Sequence, residues 1–339
     1  MRAVVLKRIG KIEDLKNNLV IEDSPKPVVG DADALINIKY AALNHRDLWI
    51  AKGMYRGIKL PVVLGSDCSG IIEDKGKNVN EFNIGDEVIV NPSLNWGVSE
   101  LFKSNEFKIL GLPDNGTLEE YISIDKSKVY KKPAHLNLMQ ASAIPLAGLS
   151  AYRAAVVKGD VSKEKKVLIT GIGGGVSTFA FIFAVCFGAQ IFVTSGDENK
   201  IKKAVGLGAK DGINYKNENW DKDLLEKNMD GFDLIIDGTG GDTISKCLNV
   251  INPGGRIVNY GATAGNTDNF EIRKIFWKQA MLIGTTMGSD KDFLNMVRFI
   301  NEKGIAPVVD KVYDIENICD AFDRMDKSEQ LGKIIIKIS

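Results

Sequence analysis

Residues 165–189 read KKVLITGIGGGVSTFAFIFAVCFGA, and no other stretch restricts the possible folds of the chain so strongly. An apolar run without polar alternation ends at Gly171; Gly173, Gly174 and Gly175 follow, and an apolar helical stretch begins near Val176. A strand of that kind is covered on both faces, the situation in a parallel sheet flanked by helices. The glycines let the backbone reverse sharply, and the free N–H groups of the next helix's first turn then face an anion such as a pyrophosphate. Val176 stands where a third glycine or alanine is usual, so the fingerprint is imperfect. Its context of strand before, helix after and further strand–helix units downstream supports a dinucleotide site.

Downstream, the short apolar runs QIFVTSG, GINY, FDLIIDG, GRIVNYG and MLIGTT alternate with the helical segments ENKIKKAVGLGA and TISKCLNVI. A long helical segment, MQASAIPLAGLSAYRAAVVKG, precedes them. Strand and helix recurring about every dozen residues predict right-handed βαβ units on a parallel sheet. The N-terminal part has a different texture. AVVLK, ALINIKYAAL, VVLG, GIIE and DEVIVN are separated by turn-rich segments such as SPKPVVGD and KGKNVNEF, which predicts an antiparallel, barrel-like β domain. The C-terminal part reads helix, strand, helix, closing strand (GKIIIKIS) and is expected to return to that first domain. A chain of 339 residues is long for one core. The expected division is a β domain over 1–130, completed by 290–339, and a parallel-sheet domain over 131–289.

Lys plus Arg and Asp plus Glu both number 44, so no net field draws the chain to nucleic acid or an acidic membrane. No run approaches the length of a membrane span, and MRAVVLKRIG lacks the apolar core of a signal peptide. Cys68, Cys186, Cys247 and Cys319 are spread singly, without CxxC pairs, which fits a reduced cytoplasm and offers no zinc-finger spacing. A small-molecule substrate is the expected partner.

The second parallel strand bears on which dinucleotide is held. Domains that prefer NAD usually end this strand in Asp or Glu, which binds the ribose 2′-OH. Here the end reads Thr194-Ser195-Gly196, with Lys200 one turn into the next helix and Tyr215 able to line the same pocket. Asp197 could supply the acidic group, but as a favoured N-cap it is expected to cap the following helix. NADPH is therefore expected ahead of NADH. The nicotinamide side is expected to be lined by Gly238, Thr239, Tyr260, Gly261, Thr285 and Thr286.

With LNHRDLWIAKG, LPVVLGSDCSGII, GDEV, NGTLEEYI, ASAIPLAGLSAYRA and GIGGGV in place, the chain resembles a medium-chain dehydrogenase/reductase over essentially its whole length. It is most similar to the zinc-type alcohol dehydrogenase-like and quinone oxidoreductase-like branches. The resemblance implies a GroES-like β-barrel catalytic domain, a Rossmann cofactor domain and a substrate cleft between them. In metal-dependent members a Cys, a His and a third ligand hold catalytic zinc. Those positions fall here on Asn44, Ser66 and, or close to, Leu146, and no cluster of cysteines stands where a structural zinc would sit. Since Zn²⁺ takes thiolate, imidazole or carboxylate ligands, no metal is expected.

For LNHRDLWI the remaining readings are substrate contact and architecture. Asn44, His45, Asp47 and Ser66 are the candidate catalytic residues. Asp47 could equally cap the following helix or pair with an arginine. Many metal-free relatives place an aromatic hydroxyl five residues past this Asn; here the residue is Trp49, which can pack on a flat substrate but cannot supply a proton. Trp96, Leu146 and Met287 are further candidates for substrate contact, though each aromatic could equally be core. The implied reaction is hydride transfer from NADPH to an enone or a quinone, with Asn44, Ser66 or a backbone N–H steadying the developing oxyanion. Two alternatives stay open: an alcohol dehydrogenase with a non-standard metal site, and an NADPH-binding sensor or structural protein. The resemblance also implies a homodimer in which MLIGTT pairs with its counterpart.

Overall fold

The computed structural model describes residues 1–228 and 230–339. The chain divides into two compact units, one formed by Met1–Leu149 with Gly288–Ser339 and the other by Ser150–Met287. Residues 131–149 thus cluster with the first unit.

In the second unit six strands form one parallel sheet. From edge to edge they are Asp211–Asn214, Gln190–Ser195, Lys166–Ile169, Phe232–Asp237, Ile251–Asn259 and Met281–Gly284. Numbered along the chain, that order is 3-2-1-4-5-6, the doubly wound arrangement expected from the alternation of strands and helices. Strand order reverses beside Lys166–Ile169, and ligands of such sheets bind outside the carboxyl ends of the strands at that switch point. The glycine turn lies there. Val167, Leu168 and Ile169 are wholly buried, as an unalternating apolar strand requires.

The first unit is built on a seven-stranded sheet that is antiparallel except for one pair. Its long central strand, Asp33–Ala42, pairs with Asp67–Lys75, Tyr121–Asp125 and the closing strand Lys333–Lys337. Lys333–Lys337 pairs in parallel with Val309–Asp314. A smaller sheet joins Arg2–Leu6 to Leu19–Asp23 and Val62–Val63. The C-terminal strands therefore return to the first unit, and Lys333 lands beside the end of Asp33–Ala42.

The expected long helix over 139–159 is broken. It forms Leu138–Ser142, then a helix from Pro145 to Tyr152, then a π-wound segment Arg153–Lys158. Pro145 has no N–H to continue the first helix, but as the first residue of a new one it fits without strain. Two helices without a clear apolar period also emerge, Trp220–Asn228 and Ile272–Lys278. Among the described residues no helix is long and apolar enough to cross a membrane.

A buried acid in the first unit makes its stability depend on pH. The Glu119 side chain is 4% exposed beside the first strand, where Glu119 bridges Ala3, and burial pushes its carboxyl up to about 8 from 4.5. A raised carboxyl favours the folded chain while it stays protonated. That contribution is complete below pH 4.5 and is lost as pH rises through about 8. Glu119→Gln removes the ionisation, so its melting temperature should gain on the wild type between about pH 5 and pH 8.5, by the equivalent of about 3 kcal/mol. Melting curves for both proteins at the two pH values provide the check.

Candidate active site

The first cluster forms where Asp33–Ala42 ends and the helix His45–Ala51 begins. Asn44 is the extended N-cap residue, and its backbone N–H donates to the Asp47 carboxylate at 2.8 Å. The other Asp47 oxygen accepts from the Gly65 N–H at 3.2 Å. Asp47 is wholly buried with both oxygens bound to backbone, so it braces the helix against the 64–66 segment. Burial holds its carboxyl above the usual range, opposed by the neighbouring Arg46 charge.

The Asn44 side chain faces a buried ion pair. Its amide donates to Asp67 at 2.9 Å and its carbonyl accepts from Lys333 at 2.7 Å. Lys333 also donates to Asp67 at 2.9 Å and to the Leu43 carbonyl at 2.8 Å, so all three ammonium protons are used. Asp67 and Lys333 are 0% and 3% exposed as side chains. The second Asp67 oxygen accepts from the Leu146 N–H at 2.7 Å, which ties the start of the helix at Pro145 to the cluster. Ser66, also wholly buried, donates to the Leu110 carbonyl at 2.7 Å and accepts from Arg46 at 2.7 Å.

The three positions that the resemblance sets for catalytic zinc thus carry a locked amide, a committed hydroxyl and a leucine. None of these is a zinc donor, and among the described residues no three His, Cys, Asp or Glu side chains gather in a way that could hold a metal ion. The residues present do not fit zinc.

His45 is half-buried and makes no hydrogen bond with the described residues. Burial, reinforced by the Lys333 charge, lowers its imidazole to about 4, so the ring is neutral at physiological pH. Trp49, partly exposed, has the Lys52 ammonium 5.7 Å from its ring centroid. Trp96 is buried in its own lobe, with Nε1 donating to the Ser99 carbonyl and Phe107 edge-on at 5.4 Å. Met287 is buried in the second unit, its sulfur accepting from the Ser150 hydroxyl at 3.8 Å.

In the second unit the glycine turn has the geometry a dinucleotide needs. Gly171 and Gly173 have φ of 62° and 145°, conformations that residues with a side chain rarely adopt. The helix Gly175–Cys186 starts behind Gly174, and no side chain caps its first turn, which leaves those N–H groups free for an anion. The Gly171 N–H donates to the Thr194 hydroxyl at 3.0 Å. A Cβ on Gly238 would lie 2.3–2.5 Å from the Tyr260 ring, so only glycine fits beneath that tyrosine. These residues fit a dinucleotide.

Asp237, which the sequence reading passed over, organises this end of the sheet. Wholly buried, it accepts from the Thr170 hydroxyl at 2.6 Å, the Thr239 and Gly240 N–H groups at 3.2 and 3.0 Å, and the Asn259 amide at 2.8 Å. Asn259 also donates to the Gly261 carbonyl, and the Thr285 N–H donates to the Asn259 carbonyl. One carboxylate thereby links Thr170, Thr239, Tyr260, Gly261 and Thr285 through their backbones or near neighbours. Thr286 is exposed. Ser195, Gly196, Lys200 and Tyr215 gather at the end of the second strand: Tyr215 packs on Gly196, and Asp197 caps the helix through the Asn199 N–H at 2.8 Å. The signal for Asp237 was a carboxylate ending an otherwise apolar strand, FDLIID. For Asp67 and Lys333, 266 residues apart, the sequence carries no pairing signal.

Residues 30–134 match the family model described as alcohol dehydrogenase GroES-like domain, and residues 175–302 match the one described as zinc-binding dehydrogenase. The chain is 34% identical to the zinc-type alcohol dehydrogenase-like protein YogA of Leptosphaeria maculans, over 92% of each chain. It is 28% identical to human quinone oxidoreductase, over 99% of this chain and 97% of that one. A crystal structure of an NAD-dependent alcohol dehydrogenase superposes with a TM-score of 0.93 at 32% identity, covering both chains completely. With a GroES-like first unit and a Rossmann-type second unit, the chain belongs to the medium-chain dehydrogenase/reductase superfamily, among its alcohol dehydrogenase-like and quinone oxidoreductase-like members, and is an NAD(P)-dependent oxidoreductase.

Proposed function

We propose that this oxidoreductase uses NADPH to reduce quinones or α,β-unsaturated carbonyl compounds, and that it does so without zinc. The observation that carries the reading is the Asn44–Asp67–Lys333 cluster. Where a metal relative needs ligands, every donor and acceptor of Asn44 is directed inward to protein atoms. Without a Lewis acid, simple alcohol oxidation loses its means of stabilising an alkoxide, whereas an electron-poor acceptor can still be reduced.

When bound, NADPH supplies the hydride. The chain's residues bind, orient and exclude water. Gly171, Gly173, Gly174, Gly175 and Val176 receive the pyrophosphate. Ser195, Lys200 and Tyr215 receive a 2′-phosphate, since no free carboxylate ends that strand and Asp197 is engaged as a helix cap. Thr194, whose hydroxyl accepts from the Gly171 N–H, holds the glycine turn, and Gly238, Thr239, Tyr260, Gly261 and Thr285 shape the nicotinamide side. Asn44 and Ser66 are spent on protein partners, so the role of donor to the acceptor's oxygen passes from them to the neutral His45 ring, with water delivering the proton. Trp49 offers an apolar face to a flat acceptor. Cysteines spread singly along the sequence, without CxxC pairs, suit the reducing cytoplasm in which NADPH is plentiful.

Purified enzyme should oxidise NADPH faster than NADH when offered a panel of quinones and enones, with turnover unaffected by a chelator and less than about one-tenth of a zinc per chain by elemental analysis. Loss of activity on chelation would sink the metal-free reading. Tight NADPH binding without reduction of any acceptor would favour a sensor.

The second unit's edge strand Met281–Gly284 is largely exposed, and Phe276 and Trp277 beside it are 61% and 84% exposed. An open edge next to an apolar patch suits pairing with a second copy of the chain. Leu282→Lys with Trp277→Glu should convert the wild-type dimer to monomer in sedimentation; a wild-type protein that is already monomeric rejects this assembly.

A further inference from the structure

Two side-chain donors from one turn converge on the end of the second parallel strand. The turn 214–217 is pinned there, with the Tyr215 N–H donating to the Ser195 carbonyl and the Asn217 N–H to the Asn214 carbonyl, both at 3.1 Å. Asn214 braces it from within, its side-chain oxygen accepting from the Lys216 N–H at 3.0 Å. A Cβ on Gly196 would lie 2.8 Å from the Tyr215 hydroxyl and 3.1 Å from Lys216 Cε. The Lys216 stem therefore ends across Gly196, with the ammonium one bond further on. Lys216 is exposed, and its ammonium has no hydrogen bond or ion pair among the described residues.

The end of this strand is where an NAD-preferring domain carries the carboxylate that holds the ribose 2′-OH. Here a glycine stands there and a cation crosses it, so the local charge has the opposite sign. The neighbouring carboxylates are engaged. Asp197 accepts from the Asn199 N–H at 2.8 Å, and Glu198 accepts from the Asn214 amide at 2.9 Å. One asparagine thus steadies the backbone of the cation and occupies the nearest anion. All of these residues belong to the second unit, so the site is complete within it.

We infer that Lys216 selects NADPH over NADH by contacting the 2′-phosphate of the adenosine ribose, with Asn214 as its positioning residue. The inference rests on the NADPH reading above and names the residue that carries the discrimination. An ammonium binds a phosphate as a point charge, and an exposed pair of this kind weakens as salt screens it. NADH, with a hydroxyl in the same place, gains little from that charge. The contact therefore favours one cofactor and is neutral toward the other.

Calorimetric titration of the full-length protein with adenosine 2′,5′-bisphosphate and adenosine 5′-monophosphate isolates this end of the cofactor. The wild type should bind the bisphosphate at least about tenfold more tightly. Lys216→Gln should weaken the bisphosphate about tenfold and leave the monophosphate and NADH unchanged. Added salt should shrink the ratio in the wild type and much less in the variant. Asn214→Ala should lose part of the ratio; equal weakening of both nucleotides would overturn its positioning role. NADH titration establishes that each variant is folded. A Lys216→Gln protein that keeps the wild-type ratio overturns the inference and leaves the NADPH reading standing on Lys200 and Tyr215. A wild type that binds the two nucleotides equally, and NADH as tightly as NADPH, overturns the NADPH reading and the inference with it.

Discussion

Lys333→Met should destabilise the first unit by about 3–5 kcal/mol, enough to lower its melting temperature by roughly 10 °C. The ammonium is 3% exposed and its three protons are matched by Leu43, Asn44 and Asp67. Removing it strands the Asp67 carboxylate, which is 0% exposed, with only the Leu146 N–H and the Asn44 amide to offset its charge. It also frees the Asn44 side chain to turn. The double variant Asp67→Asn, Lys333→Met should recover a large part of the loss, because no buried charge is left over and the oxygen of the introduced amide can still accept from the Leu146 N–H. Urea denaturation of wild type, both single variants and the double variant closes the cycle. A double variant as unstable as the sum of the singles would show that Lys333 and Asp67 stabilise the fold independently, not as a pair.

The same cluster marks the limit of what the linear sequence discloses. The doubly wound sheet was legible, because Val167 to Ile169 and Leu234 to Ile236 are apolar without alternation and glycines and helices follow at the right intervals. The return of the C-terminal strands was legible from a helix between two strands that could not extend a parallel sheet. Asn44, Ser66 and Leu146 could be placed by resemblance, and Asp197 as a helix cap by its residue type. What those side chains touch could not be read. Lys333 reaches Asn44 only because the closing strand pairs with the end of Asp33–Ala42, a contact between distant segments that leaves no local pattern. Lys216 stood in plain view beside Tyr215, but nothing in GINYK tells that its stem will cross Gly196. Trp96 illustrates the converse: an aromatic in a loop reads equally as substrate contact or core, and its indole is spent on Ser99 and Phe107.

Asp237→Ala should cost the second unit about 4 kcal/mol and weaken NADPH binding by roughly a hundredfold. The carboxylate is the sole acceptor that the described residues provide for the Thr239 and Gly240 N–H groups, and it also holds the Thr170 hydroxyl and the Asn259 amide. The hydroxyl and the amide can turn to other partners. The two backbone donors cannot, and each buried donor left unpaired costs about 1–3 kcal/mol. The cofactor effect follows from position. Thr170 immediately precedes Gly171, and Thr239 and Gly240 belong to the turn after the neighbouring strand, so the carboxylate fixes the two turns that flank the switch point of the sheet. Four donors also disperse a negative charge that would otherwise repel a phosphate. Asp237→Asn separates the two effects. It preserves volume and one acceptor but turns an NH₂ toward a donor, so about half the stability loss is expected with most of the loss in affinity. NADPH fluorescence titration and calorimetric melting of the three proteins provide the comparison. Unchanged NADPH affinity in a folded Asp237→Ala protein would confine this carboxylate to holding the sheet together.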